Sequence, residues 1–528
     1  MDTAVLVVGA GPTGMMLAAE LALAGTDVIL VERDGEPSPQ SRGGGVSART
    51  AEVLAMRGLL DAAQSQAIPR DGAGAHFAGL PVPLDARPWR TRHADGVLVP
   101  QNRLSAILEA RLGEHGVVVR RSRALTGLTQ DGDGVTATLA DGGSVRAAFL
   151  AACDGGHSTV RTLLGAPFPG RSGTMSAVTA DIDLASASDT VARSATHFHA
   201  LQRSGGGYWM MLHPLDGEGG SIDGYRVVFG GPAHPPAPRE APVTPDEVAR
   251  ALAAVHGPDT VLGRLRWGTR FSDASRQLTT YRHGRVLFAG DAAHIHLPVG
   301  GQGLNLGIQD AVNLGWKLAP TVAHRGPEGL LDSYQAERHP VAARVLATVR
   351  AQGVIMNPSP EADDARALRD IVADLARLPD ANRYLAGLMS GLALRYDLDD
   401  PDPFVGTRMI DLSLRTADGP TTVSELLTNG RGLLLEVHGP GGAAGADRDS
   451  PIDGGRDVVR AGGGASVGDG AVEHVEAEVL DSAVGTDLPA RRVLVRPDGY
   501  VCWASNDPAA SPEPALRRWF GVPVRPGA

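Results

Sequence analysis

Six residues near the start of the chain, Gly9-Ala10-Gly11-Pro12-Thr13-Gly14, lie between an apolar run at residues 4–8 and a stretch of helical spacing at residues 12–24 that Gly25 stops. Glycines at such a strand-to-helix turn let backbone N–H groups and the positive helix end approach a pyrophosphate. Glu32 closes the next apolar run, residues 27–32. A carboxylate at that strand end accepts hydrogen bonds from ribose hydroxyls and repels a 2′-phosphate. A lone motif of this kind can also be a tight turn that serves close strand–helix packing. The strand before it, the helix after it and the acid at the next strand end favour a dinucleotide.

Two further segments narrow the choice of dinucleotide. Ala152-Cys153-Asp154-Gly155-Gly156-His157-Ser158-Thr159-Val160-Arg161 ends an alternating stretch, and Leu287-Phe288-Ala289-Gly290-Asp291-Ala292-Ala293-His294 ends a later strand. They resemble the D-G and G-D fingerprints of flavoprotein monooxygenases. Singly each is an Asp-Gly turn; three motifs in this order point to FAD. Pro298-Val299-Gly300-Gly301-Gln302-Gly303-Leu304-Asn305 then opens a helical stretch. Its glycines would admit a planar ring, and its positive end would stabilise negative charge there. As structure alone it is an N-terminal loop and cap.

The chain resembles the para-hydroxybenzoate-hydroxylase-like class of FAD-dependent monooxygenases, and within it the aromatic polyketide hydroxylases of angucycline and anthracycline pathways. Ser41-Arg42-Gly43-Gly44-Gly45, Ser47-Ala48-Arg49-Thr50, His294-Ile295-His296-Leu297-Pro298, Tyr334-Gln335-Ala336-Glu337-Arg338-His339 and Arg496-Pro497-Asp498-Gly499-Tyr500 add to the match. The resemblance implies FAD held by Gly9, Gly11, Pro12, Thr13, Gly14, Glu32, Arg33, Arg42, Gln101, Asp154, Gly290, Asp291, Pro298, Gly301, Gly303, Leu304 and Asn305. Arg42 would lie near the ring and Asp291 on the ribityl chain. Arg49 and Arg103 rank below Arg42, since surface ion pairs would also account for them. Family members often carry an acid a few positions after the glutamine, whereas this chain reads Gln101-Asn102-Arg103-Leu104-Ser105.

The activity implied is NAD(P)H-dependent hydroxylation of a polycyclic aromatic polyketide in antibiotic biosynthesis, through a C4a-hydroperoxyflavin formed with O2. NADPH is the expected transient reductant, with NADH open, because no second dinucleotide motif is present: Gly462-Gly463-Gly464 lacks the flanking strand and helix. Baeyer–Villiger oxygenation of a polyketide ketone and a non-catalytic flavin scaffold are the alternatives. A flavin halogenase is disfavoured, since no two tryptophans stand two apart and the first lysine is Lys317. No side-chain nucleophile, catalytic base or metal ligand is assigned. His76, Phe77, Tyr208, Trp209, Met211 and His213 are candidates to line the substrate pocket.

The elements that must position these residues suggest an α/β architecture: a Rossmann-like FAD-binding domain, an antiparallel-sheet substrate domain and a C-terminal thioredoxin-like domain. Residues 1–173 and 282–398 make up the first, with closing helices; residues 174–281 the second; residues 404–528 the third. Within the middle domain, residues 196–198, 208–212 and 225–229 read as strands, and residues 439–470 of the tail read as loop. The tail lacks Cys-x-x-Cys, so it is not a thiol–disulfide catalyst. Its role is structural or at a subunit contact, which leaves a homodimer open.

At 528 residues the chain has room for about three domains. Its 68 glycines and 37 prolines make it rich in loops, and its formal net charge of -11 argues against nucleic-acid or membrane-surface partners. Cys153 and Cys502 are the only cysteines, too few for a disulfide framework or a metal cluster. With no leader-like or spanning apolar run, the expectation is a cytoplasmic enzyme.

Overall fold

The computed structural model describes residues 1–38, 40–41, 43–68, 75–194, 198–216, 222–238, 240–356, 363–438, 460–461, 464–467, 470–480, 484–485 and 487–521. Its first sheet is built on Thr3–Val8, which pairs in parallel with Val28–Val31 on one side and Ser144–Ala152 on the other. These strands read as near-continuous apolar runs because both faces are covered: Val5, Leu6 and Val7 are all but inaccessible. Val119–Arg120 extends one edge, and Val286–Phe288 joins Ser144–Ala152 in parallel on the other. Helices Pro12–Leu23, Gln101–Glu114 and Gln302–Val322 pack together beside the sheet.

The Asp-Gly signals mark real turns. Asp131 Oδ1 accepts from the N–H of Asp133 and Gly134, and Asp141 Oδ1 accepts from Gly143. They close an antiparallel meander, Leu125–Gln130, Val135–Leu139 and Ser144–Ala152. Its last strand also serves the parallel sheet, so it delivers Asp154 to the same edge as the glycine-rich turn.

The middle sheet is antiparallel, in the order Val261–Ser272, Ser176–Ser186, Ile222–Gly230, Tyr208–Asp216 and Gln202–Gly205. Alternation assigns its faces. Val178, Ala180, Ile182, Met210, Leu212, Val227 and Phe229 are buried against Val248, Ala251 and Leu252 of helix Pro245–His256. That helix starts on a reciprocal Thr244–Glu247 capping box. Phe198, expected in a strand, instead opens the short helix Phe198–Leu201, and residues 195–197 lie outside the described residues.

The tail sheet is mixed, in the order Gly419–Thr422, Ser413–Thr416, Val472–Val479, Gly432–His438, Arg492–Val495 and Val501–Ser505. Residues 439–459 lie outside the described residues. The rest of the expected loop is corrected in part: Arg460–Ala461 and Gly464–Val467 form a hairpin that pairs with Val472, Glu473 and His474 at the start of Val472–Val479. Helix Glu513–Phe520 brings Trp519 and Phe520 against Trp316 of the first unit, with ring centroids 6.5 and 6.2 Å away. No described helix is long and apolar enough to cross a membrane.

Candidate functional site

The six-residue turn divides its glycines by task. A Cβ on Gly9 would lie 2.5 Å from the Cys153 carbonyl oxygen, and one on Gly14 would lie 1.9 Å from that of Gly9, so these two permit close packing. Around the Cβ position of Gly11 there is open space. Pro12 occupies the first turn of the helix. Thr13 reaches the later motif: Cβ atoms on Gly290 and Gly307 would stand 2.8 and 2.3 Å from its hydroxyl oxygen. Glu32 accepts from Ala10 N–H at 2.7 Å and from Asp34 N–H at 3.0 Å, so its carboxylate braces the turn it was expected to complement. Arg33 points to solvent beside Asp34.

The D-G and G-D segments are tied together. Asp154 Oδ2 accepts from Val160 N–H at 3.1 Å, while its Oδ1 is buried with no partner among the described residues. Burial raises the Asp154 carboxyl above its ordinary range, against hydrogen bonds from Ser158 and Val160. Arg161 donates to the carbonyls of Gly156 and Ala292. Gly290 takes a positive φ of 61°, and its N–H donates to Asp310 Oδ2 at 3.1 Å. Asp291 is left exposed.

A third group of residues converges on the start of helix Gln302–Val322. Pro298 leads into Gly300 and Gly301, with φ of 70° and 64°. Gly301 is the N-cap, and the space where its Cβ would be is open. The Cβ position of Gly303 faces Asp291 Oδ1 at 3.6 Å and His296 Nε2 at 3.7 Å. Asn305 fastens two loops: its Oδ1 accepts from Ser47 N–H at 2.7 Å and its Nδ2 donates to Gly301 O at 2.8 Å. Gln101 N–H donates to Ser41 Oγ and Gly43 O, and its side chain, with that of Leu304, lies against Gly43. Arg42 lies outside the described residues. Arg103 donates to Gln66 O at the surface, whereas Arg49, expected there too, is 1% exposed.

Of the substrate candidates, Trp209, Met211 and His213 share the half-buried face of the middle sheet turned away from helix Pro245–His256. Cross-strand pairing sets Val228, Arg226 and Asp181 on the same face, and Arg226 grips Asp181 with two bonds of 2.8 and 2.9 Å. Two candidates lie apart from that face. Tyr208 packs toward Phe229 on the opposite, core face, because residues one apart on a strand point oppositely. Phe77 is buried in an apolar cluster with Leu80, Val82 and Ile355. His76 stacks on Phe198 at 4.2 Å and accepts from Gly79 N–H.

Sequence reasoning missed the hub of the site. Asp310, wholly buried, holds Gly290 and His294 through one oxygen and Arg338 through the other. Burial alone would raise its carboxyl; the Arg338 charge and the hydrogen bonds from His294 and Arg338 bring it below the ordinary range. The available signal was Asp310, Asn313 and Lys317 at helical spacing among apolar positions of the helix.

The residues present fit FAD. They offer open space beside Gly11 and Gly301 at two helix N-termini, a buried Asp154 oxygen without a partner among the described residues, and an exposed Asp291 carboxylate. Residues 2–349 match the FAD binding domain family, and residues 402–523 match the C-terminal domain of aromatic-ring hydroxylases. The chain belongs to this FAD-binding hydroxylase family. It is 43% identical, over 98% of its length and 99% of the relative's, to the 12-dehydrotetracycline 5-monooxygenase/anhydrotetracycline 6-monooxygenase of Streptomyces rimosus. CabE, an aromatic hydroxylase from angucycline biosynthesis, superposes with a TM-score of 0.83 at 37% identity, covering 99% of this chain and 100% of CabE. The Diels-Alderase PyrE3 of pyrroindomycin biosynthesis superposes at 0.78 with 36% identity, covering 99% and 100%. The protein is an FAD-dependent aromatic monooxygenase.

Proposed function

We propose that the protein hydroxylates a polycyclic aromatic polyketide, with NADPH as reductant and O2 as the source of oxygen. The observation that carries this reading is the meeting of the 43–47 loop with the N-terminus of helix Gln302–Val322 through Asn305. FAD held there supplies electron exchange with a nicotinamide and reaction with O2. Gly301 leaves room for a planar ring, Leu304 beside Gly43 gives it an apolar wall, and the helix end favours negative charge on the reduced ring. The chain's part is to bind, orient and keep water out.

The substrate class is supported by relatives named for anhydrotetracycline and for angucycline biosynthesis. Trp209, Met211 and Val228 offer an apolar face for fused rings, and the Arg226–Asp181 pair offers polar contacts for phenol or quinone oxygens. Turnover of aromatic polyketides under labelled O2 with NADPH is the test. A hydroxylated product carrying one labelled atom supports the proposal. A product without label, or NADPH oxidation equally fast with and without every aromatic tried, overturns it. A labelled ring-expanded lactone moves the reaction to Baeyer–Villiger oxygenation.

A further inference from the structure

The turn Arg496-Pro497-Asp498-Gly499-Tyr500 belongs to the tail, yet its two charged side chains and two of its carbonyls bond to the first unit. Arg496 donates to both oxygens of Glu337, at 2.8 and 2.7 Å, and to both oxygens of Asp498, at 3.0 and 2.6 Å. Asn313 Nδ2 donates to Glu337 and to Asp498 Oδ2, and Lys317 Nζ donates to Asn313 Oδ1. The carbonyls of Pro497 and Asp498 accept from Arg57 and Arg49, at 2.8 and 2.7 Å. Gly499 has φ of 77°, and a Cβ there would stand 2.6 Å from Met56 Sδ and 3.1 Å from an Arg49 nitrogen. The Tyr500 ring lies beneath Arg49 at 4.7 Å and beside Tyr396 at 4.3 Å.

Two of the residues held in this way stand on helices whose N-terminal ends carry the flavin loops. Arg49 is in Ala48–Ala55, directly after the 43–47 loop, and Asn313 is in Gln302–Val322, directly after Val299–Gly301. Arg49, Arg496, Glu337 and Asp498 are almost wholly buried, so each charge depends on its partners and none can shift alone without being stranded. The turn therefore acts as a rigid spacer between the two helices, and Asn305 closes the same gap at the other end.

We propose that residues 496–500 are a positioning element for the flavin: by gripping Arg49 and Asn313 together they set the gap between its two loops, and docking of the turn is coupled to FAD binding. The inference rests on the flavin reading of those loops. Because coupling between sites is reciprocal, FAD must stabilise the turn as much as the turn favours FAD. Hydrogen exchange on the wild-type protein, with and without FAD, reads this directly. Amides at residues 43–47 and 299–305 should be protected, and those at 496–501 should slow by about tenfold as well. Protection confined to the two loops overturns the inference while keeping FAD; no protection anywhere overturns the flavin reading itself.

Variants give a second readout. Asp498→Asn and Gly499→Ala, compared at a temperature where circular dichroism shows both folded, should bind FAD about tenfold more weakly. Wild-type FAD affinity in folded Asp498→Asn and Gly499→Ala would reduce the turn to a merely structural contact. Should neither fold, the exchange experiment decides.

Discussion

Asp310 and Arg338 share a 2.7 Å hydrogen bond at which neither side chain has any solvent exposure, and the other Asp310 oxygen fixes the backbone of Gly290. The G-D turn is thus held from behind by a fully buried ion pair. Asp310→Ala strands the Arg338 cation and should cost about 3–5 kcal/mol, read from urea unfolding. Asp310→Asn retains the shape and should cost less. Equal stability in Asp310→Ala and wild type would refute the hub.

Asp291→Ala should weaken FAD retention by about tenfold or more, as it removes an exposed acceptor beside Gly303. Glu32→Ala should lower both FAD affinity and melting temperature, because the same carboxylate anchors Ala10 N–H. Fluorescence titration of the apoprotein with FAD, alongside a melting curve, separates the two effects.

The two faces of the middle sheet give opposite expectations for neighbouring residues. Trp209→Leu should raise KM for an aromatic substrate with little change in stability, since Trp209 is half-buried on the uncovered face. Tyr208→Leu should lower stability and leave KM near wild type, because Tyr208 packs on the core face. Steady-state kinetics with one polyketide decides; a KM rise from Tyr208→Leu alone would invert the face assignment.

Stability should fall on the acid side of pH 6.5. Burial holds His93, His234 and His256 below their ordinary value, against only partial compensation from nearby carboxylates at the first two. The unfolded chain therefore takes up protons near pH 6.5 that the folded chain refuses, so folding free energy is full above that pH and lost as pH drops toward the folded-state values. His234 makes the point locally: its ring is enclosed, edge-on to Phe229, with neither nitrogen hydrogen-bonded among the described residues and only Glu247 Oε1, 3.5 Å from Nδ1, to favour its charge. His234→Phe should flatten the slope of melting temperature between pH 6.5 and 5.

Cys502→Ser should leave turnover unchanged. Its thiol is buried, its S–H points at Leu494 O, and burial pushes it far above the ordinary thiol range, so it is not a redox group. Loss of activity in a folded Cys502→Ser protein would contradict this.

Much of the site was legible because local chemistry dictates it. A glycine-rich turn between an apolar strand and a helix is fixed by backbone sterics, and helix Gln101–Glu114 follows from the spacing of Leu104, Leu108 and Leu112. What escaped depends on distant partners. Arg49 reads as a surface arginine until Asp498, far along the chain, is folded against it. Tyr334 and Arg338 resembled a family motif without a visible task; the fold shows Tyr334 bonded to Phe288 O and Arg338 to Asp310. Tyr208 and Trp209 are both aromatic, and only the pairing register separates core from uncovered face.

Lys317, the only lysine in the chain, has no exposed surface and sits between Asn313 and Glu337, where burial lowers its ammonium to about 8. The folded protein therefore shows amine-reactive reagents no lysine. Acylation at Lys317 under native conditions, appearing slowly, would time how often the tail lifts from the helix beneath it.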